Sequence, residues 1–313
     1  MAGILWAIIL RVDVLRRAID LRVAGAGLVC WDDLEGSEGQ AGGTCGNVLA
    51  NLAYLGAKAR LFDRLDFSTE AGRLIRADLE GMGVDLRWAA MFPSDSAPWL
   101  HRWLTKREGG YRWESKPVAL EEIQITGLEG KLPAARVFFF DRANAATLGL
   151  ARHYKERGST IFFEPQGSED ASGDREAALE MADIVQTSAA YFPSSAWVAP
   201  HAQLEIRTEG KKGLRWRLGG DEGRMRALKA QVVDSAGSGD WLSAGLIAAL
   251  HAGEWVGLEQ PRALEAALRQ GAALAALNCE FAGARGMVYE LSRDELAARL
   301  GERQASRART AAA

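Results

Sequence analysis

Residues 234–250 read DSAGSGDWLSAGLIAAL, from Asp234 to Leu250. A strand-like run, Gln231 to Val233, leads into a loop of small residues, and a helix is expected to open at Asp240. Almost every position from Trp241 to Leu250 is apolar, so the helix should be buried on all sides. Gly237 and Gly239 carry no side chain, which lets an anion approach the backbone closely. Ser238 lies between them. A helix N-terminus adds unpaired N–H groups and the positive end of the helix dipole. Together these make an anion site suited to the charge of a transferring phosphoryl group. A carboxylate there, Asp240, can take the proton of an attacking hydroxyl, and the dipole favours its ionised form. The alternative is structural: Asp240 caps a helix after a glycine turn. These residues alone leave both readings open.

A second glycine-to-helix junction lies upstream, at Gly42-Gly43-Thr44-Cys45-Gly46-Asn47. Apolar residues at Val48, Leu49, Leu52 and Leu55 have helical spacing, and Gly56 is a suitable C-cap. Asn47 either caps that helix or presents its amide to a polyhydroxy ligand seated against the glycines. Ahead of it, Leu21–Val29 reads as a buried strand, and Asp32 or Asp33 follows. In a parallel sheet, ligands gather beyond the carboxyl ends of the strands, where a carboxylate can accept two hydroxyls.

Strand and helix patterns alternate along the rest of the chain. Strands are expected at 59–62, 136–140, 160–163, 184–186 and 204–207. Helices are expected at 69–82 (Leu74, Ile75 and Leu79 inward), 145–157 and 175–181. From Ser238 to Leu300 the pattern is almost entirely helical. Such alternation predicts a mostly parallel α/β sheet covered on both faces. Residues 85–118 differ: Trp88, Trp99, Trp103, Tyr111 and Trp113 stand among charged residues, with two short strands about Glu108-Gly109-Gly110. This is either an edge hairpin with inward aromatics or a flap over a ligand.

The 313 residues, 48% apolar and 25% charged, suit one large α/β core with a small insertion. A net charge of −3 without a basic block argues against nucleic acid as a partner. The apolar run Ile4–Leu10 is too short to span a bilayer, so no membrane is expected, and residues 1–20 read as an N-terminal extension. Residues 304–313 read as a frayed, flexible tail. Cys30, Cys45 and Cys279 have no zinc spacing and read as reduced thiols of a cytoplasmic protein.

The segment GGTCGNVLANLAYLGAKA (42–59) resembles the N-terminal signature of the ribokinase-like (PfkB) carbohydrate kinases, and DSAGSGD (234–240) resembles their C-terminal one. DLEGMGVDL (78–86) and IRTEGKKG (206–213) are similar to two further family segments, in the family's order. The resemblance covers about residues 21–300 and implies a kinase domain over residues 21–303. It implies a Rossmann-like three-layer α/β/α ribokinase-like fold, with residues 85–118 as a small β lid. It implies ATP and Mg²⁺ as cofactors, and a sugar or nucleoside as the phosphorylated substrate. Asp32, Gly42, Gly43 and Asn47 would bind that acceptor. Gly237, Ser238 and Gly239 would form the anion hole, Asp240 would be the catalytic base, and Thr208 and Gly210 would border ATP. Lids of the family pair into homodimers, and an exposed lid edge strand would permit that here.

The chain departs from the family where many members carry N-x-x-E, a motif that organises metal and phosphates. Ser188 stands for the Asn and Tyr191 for the Glu, so metal ligands are not assigned. Glu164 is a nearby acid on another strand end, and Trp241 is a larger neighbour for the base than is common. A dinucleotide-binding oxidoreductase is disfavoured: after Gly25-Ala26-Gly27 the third glycine of the fingerprint would fall at Cys30. The other alternative is a degenerate relative that binds sugar or nucleotide as a sensor.

Overall fold

In a computed structural model of the chain, residues 20–34, 39–63, 67–89, 100–107, 110–115, 130–166 and 172–312 are described. The N-terminal extension, up to residue 19, lies outside them. The chain divides into two compact units. One comprises Arg22–Ala50 and Lys58–Ala227 and holds every strand of the described residues; the other includes residues 51–57 and the chain from Leu228 onward, where the described elements are helical.

The first unit is built on an eight-stranded sheet. Six strands are parallel: β1 (Arg22–Ala26), β4 (Lys58–Phe62), β7 (Val137–Phe140), β8 (Thr160–Phe163), β9 (Ile184–Ser188) and β10 (Leu204–Thr208). β11 (Leu214–Leu218) and β12 (Asp221–Met225) extend it antiparallel, giving the order β12-β11-β10-β9-β8-β7-β1-β4. The sequences VFFF and TIFF make strands because every residue is buried, as in a parallel strand covered on both faces. Phe138 stacks on Tyr154 at 5.0 Å and Phe140 on Phe163 at 4.5 Å between ring centroids. Burying each such ring contributes about 1.5–3 kcal/mol. Tyr154 comes from α3 (Ala145–Glu156), which Asn144 and Thr147 start with a reciprocal capping box and Gly158 stops at positive φ.

Several expectations need correction. Helix α2 (Glu70–Gly81) buries Ala71, Ile75 and Leu79, whereas Leu74 is 41% exposed. The i, i+4 stripe runs through Ile75, and one residue earlier is a turn of 100° away from it. β11 was not expected; its Leu214, Trp216 and Leu218 point inward and Arg215 and Arg217 are half-buried, so it alternates rather than running apolar. The run 231–233 is not a strand: Val232 and Val233 are exposed.

A second, four-stranded sheet has the order β3-β2-β5-β6, from β2 (Cys30–Leu34), β3 (Gln40–Gly42), β5 (Leu100–Arg107) and β6 (Gly110–Ser115). This sheet draws on more than residues 85–118: half of its strands come from the segment between β1 and α1 (Thr44–Tyr54). The side chains of β5 and β6, with their aromatics, fall outside the described residues.

The helical unit contains α5 (Ser238–Ala252), α6 (Pro261–Asn278), α7 (Gly286–Glu290) and α8 (Arg293–Ala312). α8 continues to Ala312, where the sequence suggested a frayed tail. Trp241 is fully buried and meets Tyr54 edge-on at 6.3 Å, so it is a core residue. Burial pushes the Tyr54 phenol up to about 12, which keeps it a donor to the Leu291 carbonyl at 2.9 Å. After α5, Glu254 and Trp255 both adopt positive φ (53° and 65°). A β-carbon costs about 1 kcal/mol in that region, so Glu254→Gly is expected to stabilise the chain by about 1 kcal/mol or slightly less, read as a higher urea midpoint.

Candidate active site

The parallel strands fix where a ligand belongs. From β1 the chain crosses to β4 on one side, and later returns to β7 on the other, so strand order reverses between β1 and β7. The crevice beyond the carboxyl ends of strands at such a point is the ligand site of open α/β sheets. Gly27 follows β1 there and Asp141 follows β7.

The residues expected to bind an acceptor gather around this point. Asp32 is buried on β2, not in a solvated loop, and accepts from the Cys30 thiol at 3.2 Å. Asp33 points to the other face of the strand, where the Trp31 indole N–H donates to it at 3.0 Å. Cys30 pairs with Gly42 across β2 and β3, which brings the Asp32 strand beside the glycine pair. Gly43 has φ +87°, and a β-carbon on it would stand 2.3 Å from the Leu28 carbonyl oxygen. Only glycine fits that approach. Helix α1 begins at Thr44, three residues before the expected start. Asn47 is therefore inside its first turn, buried, with its N–H on the Gly43 carbonyl at 2.8 Å; it is not the cap.

Thr208 and Gly210 lie elsewhere along the same sheet edge, four strands from β1, or roughly 19 Å at 4.8 Å per strand. Thr208 ends β10 and donates to the Thr187 carbonyl at 3.3 Å. Gly210 opens a single 3₁₀ turn, closed by the Glu209 N–H on the Gly213 carbonyl at 2.7 Å. Glu209 anchors the turn by accepting from Arg215 at 3.1 Å and Arg224 at 3.0 Å. Lys211, Lys212, Arg224 and Arg226 line an open cleft against it, a lining of one sign that attracts anions.

The small-residue loop 234–240 belongs to the helical unit. α5 begins at Ser238, not Asp240, and Gly237 is its N-cap in the left-handed region (φ 69°, ψ 2°). A β-carbon at Gly237 would meet the Ala284 carbonyl oxygen at 2.3 Å. Asp234 shapes the loop by accepting from Ala236 N–H at 2.9 Å and Gly283 N–H at 2.8 Å. Asp240 is buried in the first turn of the helix, where the N–H groups of Ser238 and Gly239 precede it.

Sequence reasoning missed the residue that holds this loop from below. Asn278, fully buried, directs its amide nitrogen at the carbonyls of Ala236 (3.3 Å), Gly283 (3.3 Å) and Ala284 (3.2 Å). Its amide oxygen accepts from Met287 N–H at 3.3 Å. A signal existed: Asn278 continues the buried stripe Leu264, Leu268, Gly271, Leu274 of α6, where a polar residue must have partners.

At the counterpart of N-x-x-E, the Ser188 hydroxyl accepts from Ala190 N–H at 3.2 Å and Tyr191 is 45% exposed. No group of three or more His, Cys, Asp or Glu able to hold a metal exists among the described residues.

The profile of the pfkB family carbohydrate kinase matches residues 195–290, which include the loop 234–240. Over those residues the chain is similar to the pfkB carbohydrate kinases. A curated relative, the probable chloroplastic fructokinase-6 of Arabidopsis thaliana, is 25% identical over 78% of this chain and 70% of its own length. Solved structures show the same fold. A fructokinase with bound ATP from Xylella fastidiosa superposes with a TM-score of 0.71 at 19% identity, covering 92% of this chain and 100% of that one. An aminoimidazole riboside kinase from Salmonella enterica, complexed with aminoimidazole riboside and an ATP analogue, gives 0.68 at 20% identity, covering 89% and 99%. The chain thus has the ribokinase-like α/β fold that the resemblance implied. Among the described residues no helix is long and apolar enough to cross a membrane.

Proposed function

We propose that the chain transfers the γ-phosphoryl group of ATP to a hydroxyl of a sugar or sugar-like molecule. The observation that carries this reading is a buried carboxylate, Asp240, one helical turn inside a glycine-capped N-terminus. Asp240 takes the proton of the acceptor hydroxyl as its oxygen attacks phosphorus. The bond between phosphorus and the β,γ-bridging oxygen breaks, and ADP leaves with the electron pair. The N–H groups along Gly237–Gly239 face the charge that develops. Asp32, Gly42, Gly43 and Asn47 bind the acceptor, and Thr208 and Gly210 lie beside the nucleotide.

Mg²⁺ is part of the proposal as the nucleotide's companion. Ser188 and Tyr191 supply no carboxylate, so the side chains do not fit a metal cage of the protein's own, and we derive no step through one. A metal carried on the phosphates with most of its waters retained agrees with that donor set. Cytoplasmic location and a homodimer formed through the second sheet belong to the same proposal; β3 and β6 are its edges.

The test is ADP release by the purified chain with Mg-ATP against D-fructose, D-ribose, sugar phosphates and nucleosides. Acceptor-dependent release is expected. Nucleotide binding without turnover on any acceptor would instead favour the sensor reading, which the missing N-x-x-E residues support.

A further inference from the structure

We infer that Asp141 is a positioning residue that fixes both points at which the β2–β3 half of the second sheet joins the main sheet. The inference rests on the acceptor-site reading above for its consequence, but not for its geometry.

The chain leaves the main sheet through Gly27–Val29, runs through β2 and β3, and returns at Gly43 into α1. Asp141, fully buried at the end of β7, touches both crossings: one carboxylate oxygen accepts from Leu28 N–H at 2.8 Å, the other from Cys45 N–H at 3.2 Å. The two crossings also touch each other, through Gly46 N–H on the Leu28 carbonyl at 3.3 Å. A β-carbon on Gly27 would lie 1.9 Å from the carboxylate oxygen that serves Leu28, so the chain bends around this carboxylate. Arg142, also buried, approaches the same carboxylate at 3.8 Å. Charged acceptors make stronger bonds to backbone N–H than neutral ones, and two such bonds tie two strands of chain to one rigid strand end. Between the crossings lie Asp32, Gly42 and Gly43, three of the residues assigned to the acceptor. Asp141 therefore sets where they stand without being required to touch the acceptor itself.

Asp141→Asn keeps the shape and retains one oxygen acceptor, so one of the two crossings must lose its bond. Amide exchange of the full-length chain without ligand should accelerate about 10-fold or more in the peptides spanning residues 27–32 and 42–47 together, because the crossings are coupled. Peptides from β8 and β9 should be unchanged. In turnover with D-fructose, KM for the sugar should rise about 10-fold while KM for ATP stays within about 2-fold. Gly27→Ala, which displaces the carboxylate from the other side, should give the same exchange pattern if the Asn variant fails to fold. Acceleration at one crossing alone, or at neither, would overturn the inference, as would a rise in KM that is equal for both substrates. If the chain phosphorylates no acceptor, the function proposed above fails, while the exchange result still decides the role of Asp141.

Discussion

Asp240→Asn is expected to lower turnover by about 10²–10⁴-fold while leaving the unfolding midpoint in place. The competing role for this residue is purely structural, and magnitudes separate the two. An acid in the first turn of a helix contributes about 0.3–1 kcal/mol through the dipole. Loss of a base that acts only in the transition state raises the barrier by about 3–5 kcal/mol for the same range of rates. Gly237, with no side chain, already occupies the N-cap of α5, so Asp240 is not placed to cap the helix. A neutral amide of the same shape keeps the packing of a position that is 8% exposed. Steady-state ADP release and a urea melt of the same preparation check both halves of the expectation. A variant that turns over normally removes Asp240 from the mechanism.

Truncating Asn278 to Ala is expected to destabilise the chain by about 3 kcal/mol. The amide has two hydrogens for three carbonyls, so its bonds are shared, and it accepts one more from Met287. Removing it strands a buried N–H and at least two carbonyls, each costing about 1–3 kcal/mol where water cannot replace the partner. The freed carbonyls of Ala236 and Ala284 lie on either side of Gly237, so phosphate-loop order and turnover should fall together. Asn278→Asp should be worse than Ala, because it sets a carboxylate against three carbonyl oxygens. Urea denaturation measures both; a shift in midpoint with unchanged slope is the predicted form. Equal stability of Asn278→Ala and the parent chain would show that the clamp carries no load.

The parts of the fold that could be read from sequence are those where one physical demand dominates. VFFF and TIFF had to be strands buried on both faces, and WLSAGLIAAL had to be a buried helix. Both glycine-to-helix junctions were visible because small residues ahead of an apolar helix are unusual. Other features depend on distant partners. Helix α1 starts at Thr44 because Leu28 and Asp141 accept the N–H groups of its first turn, a fact that no local pattern around Asn47 reveals. β2 and β3 are too short and too polar to read as strands; they form by pairing with each other, and β2 also with β5. Val232 and Val233 have strand propensity but no sheet to join, and their loop is held by the Cys279 carbonyl instead. Asp141 and Asn278 stayed hidden for opposite reasons. Asp141 follows a strand end just as the acids at 32 and 33 follow β1, and the same rule would have found it. Asn278 required noticing one polar residue on an otherwise apolar stripe.

We propose direct transfer of a phosphoryl group from ATP to a carbon-bound hydroxyl whose proton Asp240 takes. Incubation with γ-³²P-labelled ATP and D-fructose or D-ribose, followed by separation of products, tests it directly. Label is expected on the sugar with the parent chain, and about 10²–10⁴-fold more slowly with Asp240→Asn. Label that stays on ATP or appears only as inorganic phosphate, across the whole acceptor panel and under conditions where ATP is bound, would contradict it.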